Sequence, residues 1–125
     1  MNVTMSSRVE NDYLLIVASG NIACKEDYQL LLKQYCDEIV KSGLDKIIID
    51  ESKVQYAPSL VLQTDIVEFY SSGELPEQFK TWKIACVGPE DFMIFYDFWA
   101  DAAKRSGYDH RGFASMELAC EFMRK

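Results

Sequence analysis

Two groups of residues in this chain have the chemistry to engage another molecule. The first is Asp50-Glu51-Ser52, which follows a β-branched run, with Ser59 at the start of the next helical pattern. Open α/β sheets hold ligands at the carboxyl ends of their strands. A site there would use Asp50 as acceptor and Ser52 as donor, with Ser59 beside them; the plainer reading is that Asp50 ties down its own loop by accepting backbone N–H bonds. The second group is the aromatic run from Phe92 to Trp99. One helical face holds Phe92, Phe95, Trp99, Ala102 and Ala103, which leaves Met93, Ile94, Tyr96 or Phe98 to face elsewhere. That surplus, centred on Phe92, Phe95, Tyr96 and Trp99, suits a protein partner, a second copy of the chain or a small apolar ligand, unless the helix end is deeply buried.

Other chemistry is missing from the sequence. Nucleophilic catalysis needs a nucleophile, a base and an orienting group. The single histidine, His110, lies in a strand pattern between Asp109 and Arg111 and reads as a surface or edge residue. A phosphate cradle needs a Gly-rich turn between strand and helix, yet Glu51 to Pro58 has no glycine and Gly88 to Asp91 has one. Glu90 and Asp91 read as charges that complement a helix start. The cysteines at 24, 36, 86 and 120 form no C-x-x-C pair and read as reduced, mostly buried thiols. The expectation is a chain with no catalytic residues, metal or cofactor, and hence not an enzyme.

The elements that must position these residues can be read from periodicity. Residues 3–9 and 13–18 read as a hairpin turned by Glu10-Asn11-Asp12. A helix over 24–42 carries Cys24, Tyr28, Leu31, Leu32, Tyr35 and Ile39 on one face and stops at Gly43. Residues 46–50 read as a fully buried strand, 59–72 as a second helix, 82–87 as another strand and 91–105 as a third helix. Residues 108–113 make a last strand, and 115–124 a short helix capped by Ser115 with Leu118, Ala119 and Phe122 inward. The order ββαβαβαβα predicts an α/β fold with a mixed, mostly parallel sheet of about five strands and about four helices.

The totals narrow the partners. The 125 residues are 49% hydrophobic and 26% charged, an ordinary composition for one globular domain spanning 1–125. Thirteen basic against 20 acidic residues give a net charge of −7, which opposes binding to nucleic acid or anionic lipid. No run approaches the roughly 20 apolar residues of a membrane span. The opening MNVTMSSRVENDY lacks the basic start and apolar run of a secretory leader, so the expected location is the cytoplasm.

The order of elements, with Leu44-Asp45-Lys46-Ile47-Ile48-Ile49-Asp50, Lys83-Ile84-Ala85-Cys86-Val87 and the closing run Gly107 to Ser115, resembles the STAS-like superfamily of SpoIIAA-like, anti-anti-sigma-factor-type domains. The closing run is similar to small stand-alone bacterial members in particular. The resemblance implies a SpoIIAA-like fold and a regulatory domain that works through a protein partner or self-association. It also implies a D-S-S-G-type motif after the central strand, in which one serine is phosphorylated by a partner kinase. The matching stretch is Tyr56-Ala57-Pro58-Ser59-Leu60, where Ser59 corresponds to one of the motif's serines and the acid and the glycine are missing. Some members of the fold family bind small or lipophilic ligands, so the alternative is a carrier or sensor of an apolar molecule.

Overall fold

The computed structural model describes residues 2–125. β1 (Asn2–Glu10) and β2 (Tyr13–Ile22) form the expected antiparallel hairpin, closed at the Glu10–Tyr13 pair. Its turn places Asn11 at φ 51°, a left-handed conformation that asparagine tolerates better than most residues. From there the chain adds β3 (Lys46–Tyr56), β4 (Lys83–Val87) and β5 (Asp109–Phe113), each parallel to the strand before it. The strand order is sequential, β1-β2-β3-β4-β5. The three parallel crossovers run through α1 (Lys25–Ser42), α2 (Leu60–Ser71) and α3 (Met93–Arg105), and α4 (Met116–Met123) follows β5.

Alternation along the strands divides the core in two. Ile16, Ile47, Ile49 and Ile84 point to the face covered by α1, α2 and α3, where they meet Leu31, Ile39, Leu62, Ile66 and Trp99. Leu15, Ile48, Ala85 and Val87 point the other way, onto Ala119, Phe122 and Met123 of α4. Ile47, Ile48 and Ile49 are therefore all buried, as expected of a parallel strand covered on both faces.

Four local expectations are corrected. The strand expected to end at Asp50 continues to Tyr56, because β2 itself runs on to Ile22 and Ser19–Ile22 pair with Lys53–Tyr56. That pairing overrides the weak strand preference of Ser52 and Lys53. His110 is buried rather than at the surface, because β5 turns it under Tyr70 and a 3-10 turn at Glu77–Thr81 that the sequence pattern did not suggest. Leu118 faces solvent, since Ala119, Phe122 and Met123 define the inner stripe of α4. Cys24 is exposed at the start of α1 and the other three thiols are partly exposed.

One irregularity interrupts the alternation of β3. Val17 pairs with Asp50 and Ser19 with Lys53, so β3 carries one residue more than β2 across this stretch. Such a bulge changes which residues share a face. Before it, Ile47, Ile49 and Glu51 point toward the three helices; after it, Val54 and Tyr56 do.

Candidate functional site

At the bulge, Asp50 and Glu51 leave the strand on opposite faces. Glu51 goes beneath the helices, where it is 3% exposed. Its Oε2 accepts hydrogen bonds from Tyr35 of α1 at 2.5 Å and Tyr56 of β3 at 3.0 Å. Its Oε1 accepts from Tyr96 of α3 at 2.8 Å and again from Tyr56 at 3.0 Å. Three hydroxyls from three elements thus converge on one carboxyl. Burying a charge without partners costs several kcal/mol, and charge-assisted bonds of this kind offset that cost. Burial pushes the Glu51 pKa up, and the three tyrosine hydroxyls pull it back. Burial, and then the Glu51 charge, hold Tyr35, Tyr56 and Tyr96 well above the usual phenol value. The tyrosines therefore remain donors at neutral pH.

Tyr96 reaches Glu51 through a slot between two glycines. A Cβ added at Gly88 would lie 2.5 Å from Tyr96 Cε2, and one added at Gly112 would lie 2.5 Å from Tyr96 Cβ. Both positions are too close for any side chain, so β4's end and β5 grip the ring by backbone alone. Trp99 and Phe92 pack edge-on to the same ring, at 4.9 Å and 6.2 Å. The cluster is a polar strut joining α1 and α3 to the middle of the sheet.

The sequence-predicted residues occupy different settings. Asp50 Oδ1 accepts the Ser52 N–H at 3.0 Å, so the carboxyl satisfies a backbone donor at the bulge. Ser52 is exposed. Ser59 is the N-cap of α2, where its side chain accepts from the Leu62 N–H at 3.3 Å. Among the described residues no hydrogen bond joins Ser59 to Asp50 or Ser52. Within the aromatic run, Tyr96 and Trp99 are buried, while Phe92 and Phe95 are partly exposed. The apolar residues of α3 that face solvent are Ile94 and Phe98, each 63% exposed. The first residues of the neighbouring α2, Leu60 and Val61, are 82% and 71% exposed. Leu60 and Phe98 line one cleft between the two helices.

His110 belongs to a second buried group. Its Nε2 lies 3.1 Å from the Phe79 carbonyl oxygen, which can only accept, so the neutral ring carries its proton there. Nδ1 is then free to accept from the Tyr70 hydroxyl at 3.4 Å. Burial lowers the His110 pKa to about 4, against the smaller raising effects of the Phe79 carbonyl and Asp109. Among the described residues no three His, Cys, Asp or Glu side chains gather as a metal site, and no helix is long and apolar enough to cross a membrane.

Sequence reading singled out Tyr96 and turned Tyr35 inward but missed that they meet Tyr56 on Glu51, although part of the signal was present. Glu51 follows Ile47 and Ile49 at a strand period of two, which turns it inward, and Tyr35 lies on the apolar stripe of α1. The bulge that adds Tyr56 has no comparable signature.

No protein-family model and no curated protein sequence matches the chain. Among solved structures, it is similar to an anti-sigma factor antagonist from Mycobacterium paratuberculosis, with a TM-score of 0.61 and 16% identity over 98% of this chain and 95% of that one. It is also similar to an uncharacterized DUF3478-family protein with a SpoIIAA-like fold from Shewanella loihica PV-4. There the TM-score is 0.56 and the identity 18%, over 98% of this chain and 93% of that one. The chain thus has the SpoIIAA-like, STAS-type fold that the resemblance implied.

Proposed function

We propose that the chain is a non-enzymatic regulatory domain that acts by binding a protein partner, through the surface formed by the start of α2 and the outer face of α3. The observation that carries this reading is the set of four large apolar side chains left in water there: Leu60, Val61, Ile94 and Phe98. Val61 follows Leu60 in the chain, and Ile94 sits one turn before Phe98. Leu60 and Phe98 line one cleft between the two helices, and contiguous exposed apolar surface of this kind is what partner-binding sites present. The likeness in fold to a protein described as an anti-sigma factor antagonist agrees with a partner-binding role. Ser59 caps α2 at the edge of this surface, and Asp50 and Ser52 lie further along β3; we assign Ser59 to the rim of the contact.

A photo-crosslinking amino acid at position 61, in cells making the protein at its native level, tests the reading. The expected result is a discrete crosslinked species that Phe98→Asp abolishes, with sedimentation of the purified chain separating a second copy from a different partner. Absence of any crosslink, together with a monomer at all concentrations, would overturn it.

A further inference from the structure

The cleft between α2 and α3 contains a feature that a purely apolar contact does not use. It has a volume of about 330 Å³, within the range of small-molecule sites. Leu60, Val67, Phe95 and Phe98 supply apolar walls. Gln63 and Trp99, which also line it, are buried, with 8% and 7% of their surface exposed. Gln63 Oε1, Gln63 Nε2 and Trp99 Nε1 are all sealed from solvent, and none has a hydrogen-bond partner among the described residues. Native proteins rarely bury three such atoms unpaired, and each calls for an explanation.

We propose that this cleft binds a small neutral amphiphile, an apolar ring system carrying one carboxamide or lactam edge. The chemistry of the orphaned atoms selects that edge. Gln63 offers one donor and one acceptor side by side, and Trp99 offers a second donor. Because the three atoms are closed off in the unliganded chain, binding requires the Gln63 side chain to swing toward the cleft and uncover them; a ligand carbonyl then takes the two donors, while the adjacent ligand N–H gives to Gln63 Oε1. A carboxylate has no N–H to give to Gln63 Oε1. The flat walls from Phe95, Phe98 and Trp99 suit an aromatic body. This inference goes beyond partner binding, and its test uses the isolated chain, so either reading can fail without the other.

The experiment titrates the ¹⁵N-labelled protein with three probes of one shape: 2-naphthamide, 2-naphthoate and naphthalene. The expected result is that 2-naphthamide shifts the Trp99 indole N–H and the Gln63 carboxamide resonances but not the Trp82 indole. It should bind at least about tenfold more tightly than the other two, the scale of an interaction that pairs otherwise orphaned polar groups. Gln63→Leu should keep naphthalene binding and erase the preference. Equal binding of the three probes, unmoved Trp99 and Gln63 resonances, or a preference that survives Gln63→Leu would overturn the proposal. Should Gln63→Leu not fold, the comparison of probes on the unaltered protein decides alone.

Discussion

Tyr56 donates to both carboxylate oxygens of Glu51, five residues earlier in the same strand, across a bulge that turns the two side chains to the same face. Residues five apart in a regular strand point to opposite faces. The extra residue in β3 therefore creates the contact, and Asp50, by accepting the Ser52 N–H, steadies the irregular backbone that makes it possible.

Removing one hydroxyl from this group should have a signature in pH. In Tyr96→Phe the ionised form of Glu51 loses a donor and the protonated form loses less, so the folded-state pKa, already raised above 4.5, rises further. The penalty is smallest below the unfolded pKa, grows as pH rises through the folded one and is complete above it. We expect a loss of about 2 kcal/mol in urea unfolding at about pH 8 and much less at about pH 4. Equal losses at both would refute the charge-based account.

Gly88→Ala should act through Tyr96. The new methyl would collide with the ring, which Glu51 and Gly112 hold from the other sides. A destabilisation of about 1–3 kcal/mol is expected. In a double-mutant cycle with Tyr96→Ala, most of that cost should vanish. An additive cycle would mean that the glycine serves another purpose.

His110 predicts a slope of opposite sign to that of Glu51. Its folded pKa of about 4 lies below the unfolded 6.5, so its contribution is complete above pH 6.5 and is lost as pH falls toward 4. Over that window the loss is on the order of 3 kcal/mol. His110→Gln should flatten the difference curve, since the amide keeps a donor for the Phe79 carbonyl without titrating. Parallel stability–pH profiles for the two proteins would contradict the assignment.

Ser59 can be checked in the same way. Ser59→Ala should cost about 1 kcal/mol, and Ser59→Asp should restore most of it, because a carboxylate caps an N-terminus as well as a hydroxyl does. Equal stability of all three proteins would remove the cap from the explanation of this residue.

The fold was legible because its signals are local. The Ile47-Ile48-Ile49 run, the stripe through Leu31, Tyr35 and Ile39, and the stop at Gly43 each announce an element without help from the rest of the chain. The polar strut was not legible, because it depends on register. Nothing local in Ser52-Lys53-Val54 says that it pairs with the end of β2, and without that pairing Tyr56 belongs to a loop. The open apolar surface fell between these cases. Periodicity showed that α3 carries more apolar residues than one face can hold, but only packing decided that Tyr96 goes inward while Ile94 and Phe98 stay out.

The sequential strand order also decides which elements the buried cluster depends on. Each strand pairs with its neighbour in the chain, the β1–β2 hairpin locally and the three parallel pairs across intervening helices. Gly112 lies in β5, the last strand of the chain and the far edge of the sheet, and it forms one wall of the slot that holds Tyr96. The slot that seats Tyr96 against Glu51 is therefore complete only once β5 is in place, which ties the burial of a carboxyl in the middle of the sheet to the strand at its far edge.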